Sequence, residues 1–147
     1  MNKLSKYRDI VTSIRIDHEA FSLICEEVGF AYENALDNGL PICLLIVGES
    51  RTGKSCVVKQ VIDTYSPRSM GNKSVLYAVA PPKATLKSLL EALLKGLGDP
   101  FWSRGSESNM TQRLYTLLEN VSCRMIILDE FQHLCDKGQA KRLNILA

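Results

Sequence analysis

Long hydrophobic runs are missing from this chain. No apolar stretch exceeds about seven residues, against the roughly 20 that a membrane-spanning helix requires, so no membrane partner is expected. The start, Met1-Asn2-Lys3-Leu4-Ser5-Lys6, carries no apolar segment behind its basic residues, and a secretory leader is not expected either. Charge of one sign is also lacking: 18 Lys and Arg stand against 16 Asp and Glu, a net charge of +2 with a pI of about 8.3. That balance permits contact with nucleic acid without arguing for it. The five cysteines, at positions 25, 43, 56, 123 and 135, are odd in number and include no CxxC pair. No histidine stands at metal spacing from them, so neither a zinc site nor a disulfide framework is expected. Reduced thiols in a cytoplasmic protein are the expectation.

The chain does contain alternating strand and helix periodicities within one domain's length. At 147 residues, 46% hydrophobic and 23% charged, it is long enough for one core and too short for two. Residues 1–16 read as a mixed, basic lead segment, and 17–147 as the folded part. Asp17 caps a predicted helix in which Phe21, Ile24, Cys25, Val28, Ala31, Tyr32, Ala35 and Leu36 recur at helical spacing. Asn38-Gly39 ends that helix and Pro41 bars its continuation. A strand is predicted from Ile42 to Val47, a helix from Gly53 to Tyr65, and a turn-rich connector from Pro67 to Asn72. A second strand covers Ser74 to Val79 and closes at Pro81-Pro82. Thr85 then caps a leucine-rich helix that stops at Gly96 or Gly98. After a loop holding Phe101 and Trp102, a helix spans Ser108 to Val121 and a third strand runs from Met125 to Leu128. This alternation predicts an α/β fold with a parallel sheet, flanking helices and right-handed crossovers.

The run Gly48-Glu49-Ser50-Arg51-Thr52-Gly53-Lys54-Ser55 fits G-x-x-x-x-G-K-[ST], the phosphate-binding P-loop or Walker A pattern, without substitution. Its flanks suit the pattern, since an apolar β-type run enters it and a helical pattern beginning with Ser55 and Cys56 leaves it. Two glycines let the backbone wrap phosphate oxygens, and successive N–H groups then form an anion-binding nest at the positive end of a helix. In this pattern Lys54 reaches the β- and γ-phosphates and the Ser55 hydroxyl holds Mg²⁺. A nucleoside triphosphate, ATP with Mg²⁺, is the expected ligand, with Gly48 through Cys56 as the residues expected to bind it.

Met125-Ile126-Ile127-Leu128-Asp129-Glu130 places two acids behind four apolar residues, the Walker B pattern. A buried parallel strand delivers such acids to the sheet edge where the P-loop lies. Asp129 completes the Mg²⁺ sphere in this reading, and Glu130 orients and deprotonates the attacking water. Taken alone, hhhhDE is weak; paired with the P-loop it is strong. His133 reads as a surface or supporting residue, and Lys59, Lys73, Arg68, Lys83 and Lys87 as solvated surface. Phe101 and Trp102 read as core or subunit-contact anchors.

With the P-loop, the segment APPKATLKSLLEALLKGLGDP and the tail IILDEFQHL in view, the chain resembles the TniB/TnsC group of AAA+ transposition regulators from about residue 17 onward. The resemblance implies ATP bound between subunits and assembly as rings or filaments on double-stranded DNA. It also implies coupling of a target-selector protein to a transposase. It places non-specific phosphate contacts at Lys83, with Ser103 and Arg104 in a second loop. The group's core sheet has five strands, and the one bearing the sensor-1 residue lies between the P-loop strand and the Asp129 strand. This chain stops before that strand, so the resemblance predicts a partial AAA+ core without sensors, arginine finger or helical lid, and weak or no turnover alone. Three other readings stay open: another DNA-associated AAA+ ATPase (helicase loader, origin or partition type), a truncated nucleotide-binding module that does not hydrolyse, and a small-molecule kinase. The last is disfavoured by Glu130 directly after Asp129.

Overall fold

The computed structural model describes residues 19–39, 41–49, 52–66, 73–82 and 85–134. The lead segment, the Asp17 cap, Ser50, Arg51, Lys83, Cys135 and the C-terminal stretch lie outside the described residues. The elements run α1 (Glu19–Asn38), α2 (Lys54–Tyr65), β1 (Val75–Val79), α3 (Leu86–Leu97), α4 (Glu107–Asn120) and β2 (Met125–Asp129), followed by a 3₁₀ turn over Phe131–Leu134. The two strands pair in parallel, with Val75 opposite Met125, Tyr77 opposite Ile127 and Val79 opposite Asp129. The fold is therefore α/β, a small parallel sheet with flanking helices, as expected.

Alternation along the strands divides the core into two layers. On one face Leu76 and Ala78 pack with Leu90, Leu93 and Leu94 of α3 and Met110 and Leu114 of α4, joined by Leu128. On the other face Met125 and Ile127 meet Val57 and Val61 of α2 and Val28 of α1. Both faces of the strand pair are thus covered, the arrangement that parallel pairing favours. The 3₁₀ turn folds Leu134 back onto Ala80, Leu89 and Leu128 beside the C-terminal ends of the strands.

Local chemistry fixes the element ends. Thr85 and Ser88 form a reciprocal capping box at the start of α3: the Ser88 N–H donates to Thr85 Oγ1 (3.1 Å) and the Thr85 N–H to Ser88 Oγ (2.8 Å). Gly98, at φ 85°, closes the same helix in the left-handed conformation. Gly96 has a packing reason to lack a side chain, because a Cβ there would stand 2.9 Å from Leu76 Cδ1 and 3.2 Å from the Tyr77 carbonyl oxygen. At α4 the Ser106 hydroxyl accepts from the Asn109 N–H.

The expected strand over Ile42–Val47 is not formed; residues 41–49 adopt neither helix nor strand. The physical reason is pairing. A strand exists only on a ladder, and among the described residues the sheet pairs β1 with β2 alone. Ile46 alone of this run is drawn into the α1–α2–β2 cluster. Leu45 and Val47 remain 63% and 82% exposed.

Candidate functional site

The loop entering α2 is shaped by its glycines and closed by its lysine. Gly53 sits at φ 94°, a left-handed conformation that side-chain-bearing residues avoid, and its carbonyl accepts from the N–H groups of Cys56 and Val57. The Lys54 ammonium turns back over the loop and donates to the carbonyls of Gly48 (2.7 Å) and Glu49 (2.5 Å). The Thr52 hydroxyl donates to the same Glu49 carbonyl at 2.8 Å. Lysine, threonine and the two carbonyls thus define a small ring of backbone around one cation. Ser50 and Arg51, between these anchors, lie outside the described residues.

Past the loop, the first turns of α2 face the C-terminal ends of the strands across a cleft of about 250 Å³. Ser55, Val58, Lys59 and Ile62 line it from the helix, and Tyr77 and Asp129 from the sheet. Parallel register explains how the two sheet residues meet. Val79 is opposite Asp129, so Tyr77 shares their face one pleat earlier and its long side chain reaches forward to the strand tip. Its hydroxyl donates to Asp129 Oδ2 at 2.8 Å. The other oxygen, Oδ1, accepts the Glu130 backbone N–H, also at 2.8 Å. Burial, and then the carboxylate that it donates to, push the Tyr77 phenol above its ordinary range, so it stays a donor at neutral pH.

Glu130 occupies a different position. Its φ of 55° places an ordinary residue in the left-handed region at the end of β2. Its side chain is exposed and is not part of the cleft lining; instead it accepts a hydrogen bond from the Gln132 amide. His133 is turned away from the cleft chemistry, with Nδ1 3.0 Å from the Ala80 carbonyl oxygen. Cys56 is exposed on α2. Ser103 and Arg104 are exposed in the turn between α3 and α4, where the Arg104 guanidinium lies 5.7 Å from the centre of the Phe101 ring. The structure therefore brings Ser55 and Asp129 to one cleft, and does not bring Glu130 or the α3–α4 turn into it.

Two polar cleft residues, Lys59 and Tyr77, escaped the sequence reading. Lys59 stands four residues after Ser55, a spacing that puts both on one helix face, and that signal was available. Tyr77 carried no motif signal, because only the strand register brings it to Asp129.

No group of three or more His, Cys, Asp or Glu side chains that could hold a metal is found among the described residues. The donors that do converge suit Mg²⁺, which takes hard oxygen ligands, keeps several waters and uses one or two carboxylates together with substrate phosphates. A serine hydroxyl and an aspartate sharing an open cleft meet that requirement.

A glycine-hinged loop opening a helix, opposite an acid at the tip of a parallel strand, is compatible with a P-loop NTPase-like α/β fold. The family described as Bacterial TniB protein matches residues 11–147, and the chain belongs to that family. It is accordingly a transposition-associated protein, in agreement with the resemblance seen in its motifs. No curated protein matches it. None of the helices among the described residues is long and apolar enough to cross a membrane.

Proposed function

We propose that this chain binds ATP with Mg²⁺ and serves as the nucleotide-dependent regulator of a DNA transposition system. In that role it assembles on double-stranded DNA and links a target selector to a transposase. The observation that carries the nucleotide reading is the shared cleft of Ser55 and Asp129 beside the loop closed by Lys54. Lys54 lies on two loop carbonyls and exchanges them for the β- and γ-phosphate oxygens of the ligand. Ser55 and Asp129 hold the magnesium, which neutralises phosphate charge when bound. The DNA and partner part of the reading rests on the resemblance of the motifs, with Lys83, Ser103 and Arg104 as the phosphate-contact candidates, and membership of the TniB family supports it at the level of transposition.

A second reading has its own support. With Glu130 outside the cleft and its carboxylate engaged by Gln132, the chain as it stands holds nucleotide without positioning a water for attack. In this reading it is a binding module whose turnover needs a rearrangement of the strand end.

Calorimetric titration with ATP and Mg²⁺ tests the first proposal. Lys54→Ala removes charge-assisted contacts worth about 1.5–3 kcal/mol each, so affinity should fall by about tenfold or more. Unchanged affinity would remove the nucleotide reading altogether. If wild-type chain binds ATP and Glu130→Gln alters neither binding nor phosphate release, the non-hydrolysing reading is the correct one.

A further inference from the structure

We infer that Tyr77 is a positioning residue for the magnesium site: its hydroxyl sets the orientation of the Asp129 carboxylate. This rests on the nucleotide reading above and adds to it a residue that no motif contains. The geometry supplies the argument. An aspartate carboxylate turns about a broad, two-fold χ2 torsion, so an exposed one presents its oxygens in no fixed plane. Here both oxygens are tethered, Oδ2 by the Tyr77 hydroxyl and Oδ1 by the Glu130 N–H, each at 2.8 Å. Two donors fix the plane of the group. Each oxygen still has a second lone pair, and the polar side chains that α2 contributes to the same cleft are Ser55 and Lys59.

The tyrosine is itself well held. Its backbone pairs with β2 opposite Ile127, and its carbonyl packs near Gly96 of α3. The hydroxyl therefore comes from a paired strand rather than from a loop, and rigid elements position site groups more accurately than loops do. The Glu130 tether is weaker support by itself, because it comes from the adjacent residue at a strained turn. Without Tyr77, a carboxylate with one neighbouring donor regains its rotation.

The test compares ATP affinity with Mg²⁺ against ATP affinity in EDTA, and uses the ratio of the two as its readout. Tyr77→Phe keeps the ring and removes only the hydroxyl, so the chain should still fold, which its melting curve checks. The ratio should fall about three- to tenfold, and the Mg²⁺ concentration giving half-maximal tightening should rise by a similar factor. In an Asp129→Asn background the same substitution should change neither quantity, because a residue acting through Asp129 has nothing left to act on. A ratio unchanged within twofold, or an equal fall in the Asp129→Asn background, overturns the inference. If wild-type and Lys54→Ala chains bind ATP equally, the nucleotide reading fails and the inference falls with it; if they differ and Tyr77→Phe does nothing, only the inference fails.

Discussion

Glu130 shows how a single residue can carry a cost for its position. A side-chain-bearing residue in the left-handed region gives up about 1–2 kcal/mol, and at φ 55° this is set against the hydrogen bonds of the Glu130 N–H to Asp129 Oδ1 and of the His133 N–H to the Glu130 carbonyl. Glu130→Gly should therefore stabilise the fold by up to about 1 kcal/mol, the relief of strain being partly offset by glycine's extra freedom when unfolded. Urea unfolding measures this; a loss above about 1 kcal/mol would mean that the side chain, not the strand end, holds the turn. Cys123 gives a second prediction at this scale. Burial raises its thiol above the ordinary range, although contacts with the Leu76 and Met125 backbone and the nearby Lys73 pull the other way. A thiol raised by folding keeps its proton longer in the native state, so stability present below the ordinary thiol range, about pH 8.5, should decline as pH climbs through it. At pH 8, iodoacetamide should alkylate exposed Cys56 well before Cys123, because only the thiolate reacts. Equal rates would contradict the burial.

Among the elements, the turn between α3 and α4 is held by one buried carboxylate. Asp99 is 4% exposed at its side chain and accepts from the Phe101 N–H at 2.9 Å and from Arg113 Nε at 2.6 Å. The same guanidinium donates to the carbonyls of Phe101 and Arg104, so α4 carries the turn that displays Phe101, Trp102 and Arg104. Removing the cation leaves a desolvated charge behind. Arg113→Ala should cost about 2–4 kcal/mol, trimmed from the buried-pair range because the arginine is partly solvated, whereas Asp99→Asn should cost less. If the two cost the same in urea unfolding, the buried charge is not what decides. The ends of α3 were legible in the sequence, because Thr85 and Gly98 act through hydrogen bonds to residues three or four positions away; the Ser106 cap of α4 works at the same range and was not read. The helix predicted from Ser108 begins at Glu107, and the strand predicted to Leu128 extends to Asp129. The Ile42–Val47 segment failed because strand formation is a property of a pair, and hydrophobicity does not report whether a partner is beside it.

At the scale of the molecule, the sheet separates a dense leucine and methionine core from a thinner layer on the side of the cleft. Leu76, Leu94 and Met110 are almost wholly excluded from solvent, and the opposite layer is built on the smaller buried side chains of Val57, Val61 and Val75. The motif residues were visible in the sequence, while their supports were not. Tyr77 reaches Asp129 only through parallel register, and Gln132 reaches Glu130 only through the 3₁₀ turn. The same division predicts where the chain opens first. The backbone N–H groups of Leu76 and Ala78 point at β2 in the parallel ladder, in phase with the Ala80 N–H that donates to the Asp129 carbonyl, so they should exchange with solvent only on sub-global or global unfolding. Those of residues 42–47 carry no ladder bonds, and only Ile46 among them is anchored in a core cluster. Their amide hydrogens should exchange by local fluctuation, at least about a thousandfold faster than those of Leu76 and Ala78. Hydrogen–deuterium exchange followed by mass spectrometry separates the two segments directly. Nucleotide that binds the folded state and seats on the loop from Gly48 onward should slow exchange by mass action at the amides that open only on global unfolding, by about 2.7 kcal/mol at a hundredfold excess over Kd, and should add local protection at 45–49 next to the loop. Protection of 42–47 matching that of β1 without any ligand would show that the segment has found a pairing partner, and the two-strand description of the sheet would then be wrong.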